Sequence, residues 1–83
     1  MQASVRWLVK SGMTYHSSWS PDGKRIVFQW KRPKQDIYQL HLINPDDNVP
    51  PQLLPCQDPS RHNCDPDWSP DGKTIIFNSQ APQ

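Results

Sequence analysis

A ten-residue segment occurs twice in this chain and constrains its fold more than any other feature. Residues 19–28 read WSPDGKRIVF and residues 68–77 read WSPDGKTIIF, so eight of the ten positions are identical. The two copies are 49 residues apart. A fixed period of this kind is typical of proteins in which one supersecondary unit recurs and buries its apolar face against the next unit. The sequence therefore predicts two related structural units.

The start of the repeated segment predicts a tight turn between two antiparallel strands. Proline pre-sets the φ angle at the second position of a type I turn, and aspartate bonds nearby backbone amides. Glycine takes the left-handed conformation that closes a three-residue hairpin loop with a bulge. The tryptophan that precedes each turn is expected to pack in the core. The signature residues are Trp19, Ser20, Pro21, Asp22, Gly23 and Lys24 in the first copy, and Trp68, Ser69, Pro70, Asp71, Gly72 and Lys73 in the second.

Apolar residues on both faces of the strands predict sheets that are covered on both sides. After the first turn, Ile26 and Phe28 share one face of a strand and Val27 lies on the other. Residues 36–43 predict a third strand, and residues 51–54 a short fourth strand whose prolines suit an edge position. No segment shows a convincing 3.6-residue apolar period, and the ten prolines argue against helices. Four short antiparallel strands per repeat is the pattern of a propeller blade.

Taken together, these segments resemble the TolB-type β-propeller repeat, a relative of the WD-repeat blade. The matching segments are WSPDGKRIVF, DIYQLHLI, PQLLP and PDWSPDGKTIIF, and with their connections they cover the chain from about residue 15 to residue 79. The resemblance implies an all-β fold made of antiparallel four-stranded β-propeller blades. The chain would supply about two blades of an incomplete propeller, whereas complete propellers typically have about 4–8 blades.

The phase of the blades predicts three parts. Residues 1–14 are expected to hold the outer strand of a preceding blade, at residues 5–9, followed by a loop. Residues 15–55 form one complete blade. Residues 56–83 form the inter-blade loop and the first two strands of the next blade. On this interpretation the chain starts and stops within blades, so it is a fragment of a longer protein, a truncated gene product, or a unit of which several copies complete a ring.

Cys56 and Cys64 flank a short loop, and two interpretations of them remain open. In an oxidising compartment they would form a disulfide, which would stabilise the fold by about 2–3 kcal/mol; in the cytosol they would be two thiols. A metal site built from Cys56, His62 and Cys64, with Asp58 or Asp65 as a fourth ligand, is a weaker alternative. Their spacing does not match the paired C-x-x-C arrangement that structural zinc sites usually show. We therefore predict no metal and no cofactor.

No residue pattern predicts catalysis. His16 is followed by Ser17 and Ser18, but neighbouring residues of a strand point to opposite faces, and no G-x-S-x-G motif accompanies them. His41 in the third strand is expected to be half-buried or to lie at the rim. With three glycines in the chain, no phosphate-binding loop is present. The sequence therefore predicts a protein that is not an enzyme.

Charge and hydropathy exclude two classes of partner. The formal net charge is +1, and the one basic cluster, Lys31, Arg32 and Lys34, is diluted by Pro33 and Asp36, so nucleic-acid binding is not expected. No segment approaches the roughly 20 apolar residues of a membrane-spanning helix, and no signal peptide is visible. The compartment stays unknown, although the family resemblance favours an extracytoplasmic, periplasmic location.

The function expected from the resemblance is that of a non-catalytic protein-interaction scaffold. Its partner would be another protein or a neighbouring propeller blade. If that blade belongs to a second copy of the chain, the assembly is a homo-oligomer. Similarity to TolB itself implies an envelope lipoprotein or a colicin-like partner. The alternatives are the propeller portion of a prolyl-oligopeptidase-like or tricorn-like serine peptidase, or a blade pair that self-assembles.

Overall fold

The computed structural model describes residues 12–46, 50–55 and 57–81, so the strand predicted at residues 5–9 lies outside the described residues. Six strands occur in the described part. They are β1 (Met13–Trp19), β2 (Ile26–Lys31), β3 (Gln39–Ile43), β4 (Gln52–Leu53), β5 (His62–Trp68) and β6 (Ile75–Gln80).

The strands form two antiparallel sheets, one of four strands in the order β1-β2-β3-β4 and one of two strands, β5-β6. No helix occurs among the described residues, and accordingly none there is long and apolar enough to cross a membrane. The predicted all-β, antiparallel fold is confirmed. That the sheets are propeller blades, with boundaries at residues 14/15 and 55/56, stays a prediction.

Both copies of the repeated segment close a hairpin with the same hydrogen bonds. In the first, the Gly23 amide donates to the Ser20 carbonyl at 2.9 Å, and the Ser20 amide donates to the Arg25 carbonyl at 2.8 Å. The Ser20 hydroxyl accepts from the Arg25 amide at 3.1 Å and donates to the Asp22 carboxylate at 2.5 Å. Because the closing residues are Ser20 and Arg25, the loop holds four residues, one more than predicted.

The left-handed conformation predicted for the turn glycines is present, with φ of 73° at Gly23 and 74° at Gly72. The two turns are neighbours in space, since a Cβ built on Gly72 would lie 3.4 Å from Pro21 Cδ. The carboxylates of Asp22 and Asp71 accept a hydroxyl and an amide hydrogen bond in the same way. These bonds lower the pKa of both groups, the serine hydroxyl contributing most.

The first strand of each unit carries a β-bulge at the equivalent position. The register shifts between Tyr15 and Ser18 in the first sheet and between Cys64 and Asp67 in the second. The bulged residues, His16 and Asp65, have φ of 47° and 55°, in the left-handed region that non-glycine residues rarely adopt. They are 49 residues apart, so the structural repeat extends beyond the identical residues.

The core lies in the first sheet. Ile26, Val27 and Phe28 of β2 and Leu40 of β3 are fully buried, and Ile43 is nearly so. Ile26, Phe28 and Ile43 pack together with the partly buried indoles of Trp19 and Trp30 around them. Val27 lies on the opposite face of β2, as the alternation of a strand requires.

The second sheet packs on the face of β2 that carries Val27 and Gln29. The Gln29 side chain accepts a hydrogen bond from the Asp65 amide of β5 at 3.0 Å. The Trp68 indole donates to the Ser18 carbonyl at 3.0 Å, and the Arg25 guanidinium lies 4.9 Å from the centre of the Trp68 ring. The sheets are therefore stacked face to face, each presenting side chains to the other.

His41 is fully buried in β3 and not half-buried or at the rim as predicted. Its ring packs against Phe28 and Trp30, with centroids 5.9 and 5.0 Å away. Its Nδ1 lies 3.1 Å from the Gln39 carbonyl, while Nε2 has no hydrogen-bond partner among the described residues. Burial among aromatic rings disfavours the charged imidazolium and lowers the pKa of His41.

We expect this burial to make the fold sensitive to acid. At a pH above about 6.5, the pKa of a histidine in the unfolded chain, His41 is neutral in both the folded and the unfolded state. Its protonation therefore does not change the free energy of unfolding in that range. As the pH falls below that value, the unfolded chain binds a proton that the folded chain resists, so the free energy of unfolding decreases until the folded pKa is reached. Urea unfolding of the wild type and of His41→Phe, between about pH 8 and pH 4.5, measures this. Over this pH range the free energy of unfolding should decrease more for the wild type than for His41→Phe. Equal decreases in the two proteins would contradict the conclusion that burial lowers the pKa of His41.

Candidate functional site

The two β-bulges meet in a cluster of polar side chains that joins the sheets, called here the bulge junction: His16, Ser18, Asp65, Asp67 and Asn78. His16 Nε2 lies 3.3 Å from Asp65 Oδ1, and the two side chains are 63% and 47% exposed. Asn78 donates to the other Asp65 oxygen at 3.1 Å, and the Ser18 hydroxyl donates to Asp67 at 3.2 Å. The cluster faces solvent and connects the two sheets, and its two carboxylates are paired with the side chains of His16, Ser18 and Asn78.

The bulge junction does not assemble the nucleophile that His16 and the adjacent serines could suggest. The Ser18 hydroxyl is directed to Asp67, and His16 contacts a carboxylate. A general base would need to lie within hydrogen-bond reach of the hydroxyl it activates. Among the described residues, no group of three or more His, Cys, Asp or Glu side chains could hold a metal ion.

Cys64 lies in β5, and Cys56 lies outside the described residues, so the predicted disulfide stays a prediction. As a thiol, Cys64 is partly buried, and burial followed by the neighbouring Asp65 carboxylate raises its pKa. A raised pKa lowers the fraction of reactive thiolate. His62, the other proposed metal ligand, uses Nδ1 to accept the Tyr38 amide at 3.1 Å. This bond ties the start of β5 to the segment before β3.

A cleft of about 400 Å³ opens between the two sheets on the side of β4 and β6. Its walls are mainly apolar, with the cationic side chains of Arg25 and Lys73 at its margin. The apolar lining includes Leu42, Leu54, Trp68, Ile75 and Phe77. Leu42 lies opposite Val27 in the ladder, which places it on the face that the second sheet covers. Ile75 and Phe77 therefore point toward the first sheet, and Ile76 points away from it.

The outer face of the second sheet is open where the equivalent face of the first sheet is covered. Val27 has no exposed surface, whereas its repeat equivalent Ile76 is 67% exposed. Leu53 of β4 is the other exposed large apolar side chain in the described part, at 50%. A single exposed aliphatic side chain is common on protein surfaces, so what distinguishes Ile76 is that its repeat equivalent Val27 is fully buried.

Sequence reasoning missed the residues that hold the loop between the sheets. The Gln57 side chain accepts the Leu40 amide at 2.9 Å and donates to the Leu40 carbonyl at 2.9 Å and to the Leu54 carbonyl at 2.6 Å. The fully buried Asn63 donates to the carbonyls of Asp58 and Arg61. A polar residue within a proline-rich loop carries no sequence signal for these roles.

The structure brings together some of the residues that the sequence singles out and not others. The signature residues lie at the hairpin ends and bring the two turns together, while Cys64 and the histidines of the described part do not form a common site. A scan against models of known protein families and a search of curated proteins return no match, and the TolB-like interpretation stays a prediction.

Proposed function

We propose that this chain is a non-catalytic, TolB-like β-propeller fragment that acts as a protein-interaction scaffold. One observation carries the proposal: the two repeat-related sheets stack face to face, and the second sheet leaves open the face that the first sheet has covered. Val27 is fully buried and Ile76 is 67% exposed, although both follow the same turn. A surface that is buried in one repeat and exposed in the next is a surface for docking a further unit.

The polar contacts support a scaffold and not a reaction centre. In the bulge junction, the side chains of His16 and Ser18 of the first sheet bond to carboxylates of β5. Gln29 and Trp68 add two further hydrogen bonds between the sheets. These contacts fix the distance and orientation of one sheet relative to the other, which is what a stacked array requires.

The resemblance to TolB suggests the chemistry of the partner. An envelope lipoprotein, a colicin-like protein or a neighbouring blade would each bring its own sheet or loop to the outer face, and a periplasmic location would accompany the first two. This step is an analogy at the level of the fold, which by itself does not determine function. No contact among the described residues favours the peptidase-propeller alternative.

Self-assembly is a second candidate that the exposure of Ile76 favours. A sheet with one covered face and one open face forms a heterologous interface, in which one copy stacks on the next in the same direction. Such an arrangement either closes into a ring or continues as a filament.

Light scattering with circular dichroism on the same sample tests both candidates. We expect a β-rich chain whose solution mass rises with concentration above the monomer mass of 9.6 kDa. Ile76→Lys should restore the monomer without changing the dichroism spectrum, because a charge on the outer face opposes stacking. Leu53→Lys is the matched control and should leave association unchanged. A chain without β signal would contradict the scaffold, and a folded monomer at every concentration would exclude self-assembly and leave a different protein as partner.

A further inference from the structure

The loop between β2 and β3 carries a group of cationic side chains that the proposed function does not use. Lys31, Arg32 and Lys34 follow one another closely, and the last two are exposed. Seven of the eight aspartates of the chain lie in the described part, and none of them forms an ion pair with these three cations. This includes Asp36, which is exposed in the same loop. The three cationic residues are called here the cationic loop.

Two of these cations are held over aromatic rings. The Arg32 guanidinium lies 5.1 Å from the centre of the Trp30 ring, and the Lys31 ammonium lies 5.8 Å from the centre of the Tyr38 ring. Both distances are within the range of cation–π attraction. The Trp30 ring in turn packs against the core of the first sheet. These contacts restrict the two cationic side chains before a partner arrives, so binding costs less conformational entropy.

The third cation lies at the tip of the loop in a backbone conformation that a lysine rarely adopts. The Gln35 amide donates to the Arg32 carbonyl at 3.0 Å, which closes a β-turn with Pro33 and Lys34 at its centre. Lys34 has φ of 68°, as the second central residue of a type II turn requires, and glycine or asparagine is usual there. A lysine is strained in this conformation, so its side chain is not explained by the turn. A contact with a partner would explain it.

The arrangement favours carboxylates over nucleic acid as the bound group. Arg32 and Lys31 occupy ring faces of Trp30 and Tyr38 on which a base would otherwise stack. A guanidinium that lies on a ring keeps N–H donors at its edge, where a carboxylate binds in bidentate fashion. Strong duplex binding rests on many phosphate contacts, and three cations provide few.

We propose that the cationic loop binds an acidic segment of a partner protein, whose carboxylates pair with Lys31, Arg32 and Lys34. The inference rests on the proposed function and deepens it, because it gives the scaffold a partner of stated chemistry. The loop belongs to the first sheet and is separate from the outer face of the second sheet, where Ile76 is exposed. Surface ion pairs each contribute little and are weakened by salt. The contact therefore provides selectivity and fast association more than tight binding.

The probe is a fluorescently labelled peptide of about twelve residues in which glutamate and serine alternate, so that carboxylates recur about every 7 Å in the extended chain. With the full protein we expect saturable binding by fluorescence anisotropy, which weakens as the salt concentration rises from about 0.05 to 0.3 M. The same peptide with glutamine in place of glutamate should not bind. Oligothymidylate with the same number of negative charges should bind more weakly than the acidic peptide.

Lys34→Gly separates binding from folding. Glycine adopts the left-handed conformation without strain, so this variant should keep the β spectrum and the melting temperature of the wild type. Its affinity for the acidic peptide should fall roughly two- to fivefold, as the loss of one surface ion pair predicts. Arg32→Gln combined with Lys34→Gly should lower the affinity further, by roughly tenfold. The matched control is Lys24→Ala, which removes the same charge from the turn at the other end of β2, where Lys24 is exposed; it should bind as the wild type does.

The proposal is overturned if the acidic peptide does not bind at low salt, or if the glutamine peptide binds equally well. It is also overturned if Lys24→Ala and Lys34→Gly weaken binding equally, which would mean that net charge and not the loop determines the affinity. Tighter binding of oligothymidylate than of the acidic peptide would overturn it in favour of nucleic acid. Absence of peptide binding in a chain that shows the concentration-dependent mass expected above would reject the role of the cationic loop and keep the scaffold. A chain without β signal would reject the scaffold before any peptide is added.

Discussion

Phe28→Ala is expected to lower the free energy of unfolding by about 3–5 kcal/mol, as deletion of a fully buried aromatic ring usually does. Phe28 has no exposed surface and its ring lies 6.1 Å from that of Trp30 and 5.9 Å from that of His41. Small domains are stable by about 5–15 kcal/mol in total. The substitution should therefore leave a large fraction of the chain unfolded, which urea titration followed by circular dichroism measures.

The repeat supplies the matched control, because Phe77 occupies the same position in the second copy. Phe77 is only partly buried and lines the cleft between the sheets, so Phe77→Ala should cost roughly 1–2 kcal/mol from the smaller apolar area that it uncovers. The same substitution at equivalent positions of the repeat would thus lower the free energy of unfolding by different amounts. Equal losses at Phe28 and Phe77 would contradict a core centred on the first sheet.

The difference between the two phenylalanines shows what the sequence could predict and what it could not. The strands and the turns were predictable because the period-2 apolar pattern and the SPDG segment act locally. The degree of burial was not, since it depends on which neighbours each sheet has. Ile26 and Ile75 occupy the same position of the repeated segment, but β2 has a strand on either side and, among the described residues, β6 pairs with β5 alone.

The third strand illustrates a boundary that local pattern could not place. It was predicted over residues 36–43 and begins at Gln39. The backbone of Tyr38 is used by the next unit: its amide donates to His62 Nδ1 at 3.1 Å and its carbonyl accepts the Asn63 amide at 2.9 Å. These contacts join residues more than 20 positions apart, so the sequence near Tyr38 does not predict them.

The bulge junction was missed for a related reason. His16 and Asp65 are unlike each other, yet they occupy equivalent bulges with left-handed backbone conformations. Comparison of the two copies by identity ends at Trp19 and Trp68, and only the structure shows that the repeat continues before them. The contact between His16 and Asp65 then follows from stacking one bulge on the other.

Gln57→Ala is the second substitution with a large expected effect, about 1–3 kcal/mol. The Gln57 amide acts as a strand residue would, since it both accepts the Leu40 amide and donates to the Leu40 carbonyl. Leu40 is fully buried, and its carbonyl also accepts the Leu54 amide at 3.0 Å. Removing Gln57 therefore leaves mainly the Leu40 amide without a partner, and an unsatisfied buried donor costs about this much.

Calorimetry measures the effect, because one kcal/mol shifts the melting temperature of a domain of this size by about 4–8 °C. Gln52→Ala is the control: Gln52 lies in the neighbouring strand β4 but is exposed, so its removal should change stability by less than about 0.5 kcal/mol. Gln57→Glu should not retain the wild-type stability. The second oxygen of the glutamate would face the carbonyls of Leu40 and Leu54, to which Gln57 donates, and it cannot donate a hydrogen bond.

Hydrogen exchange at the Leu40 amide identifies the cause of any loss of stability in Gln57→Ala. If Gln57 replaces a ladder partner, this amide should exchange faster in Gln57→Ala, while the amides that pair β2 with β1 keep their protection. Similar stability of Gln57→Ala and Gln52→Ala would mean that β4 and its prolines are sufficient to close this edge. A two-residue strand makes that outcome unexpected, because β4 reaches only Leu42 and His41 of β3 and the side chain of Gln57 supplies the next position of the ladder.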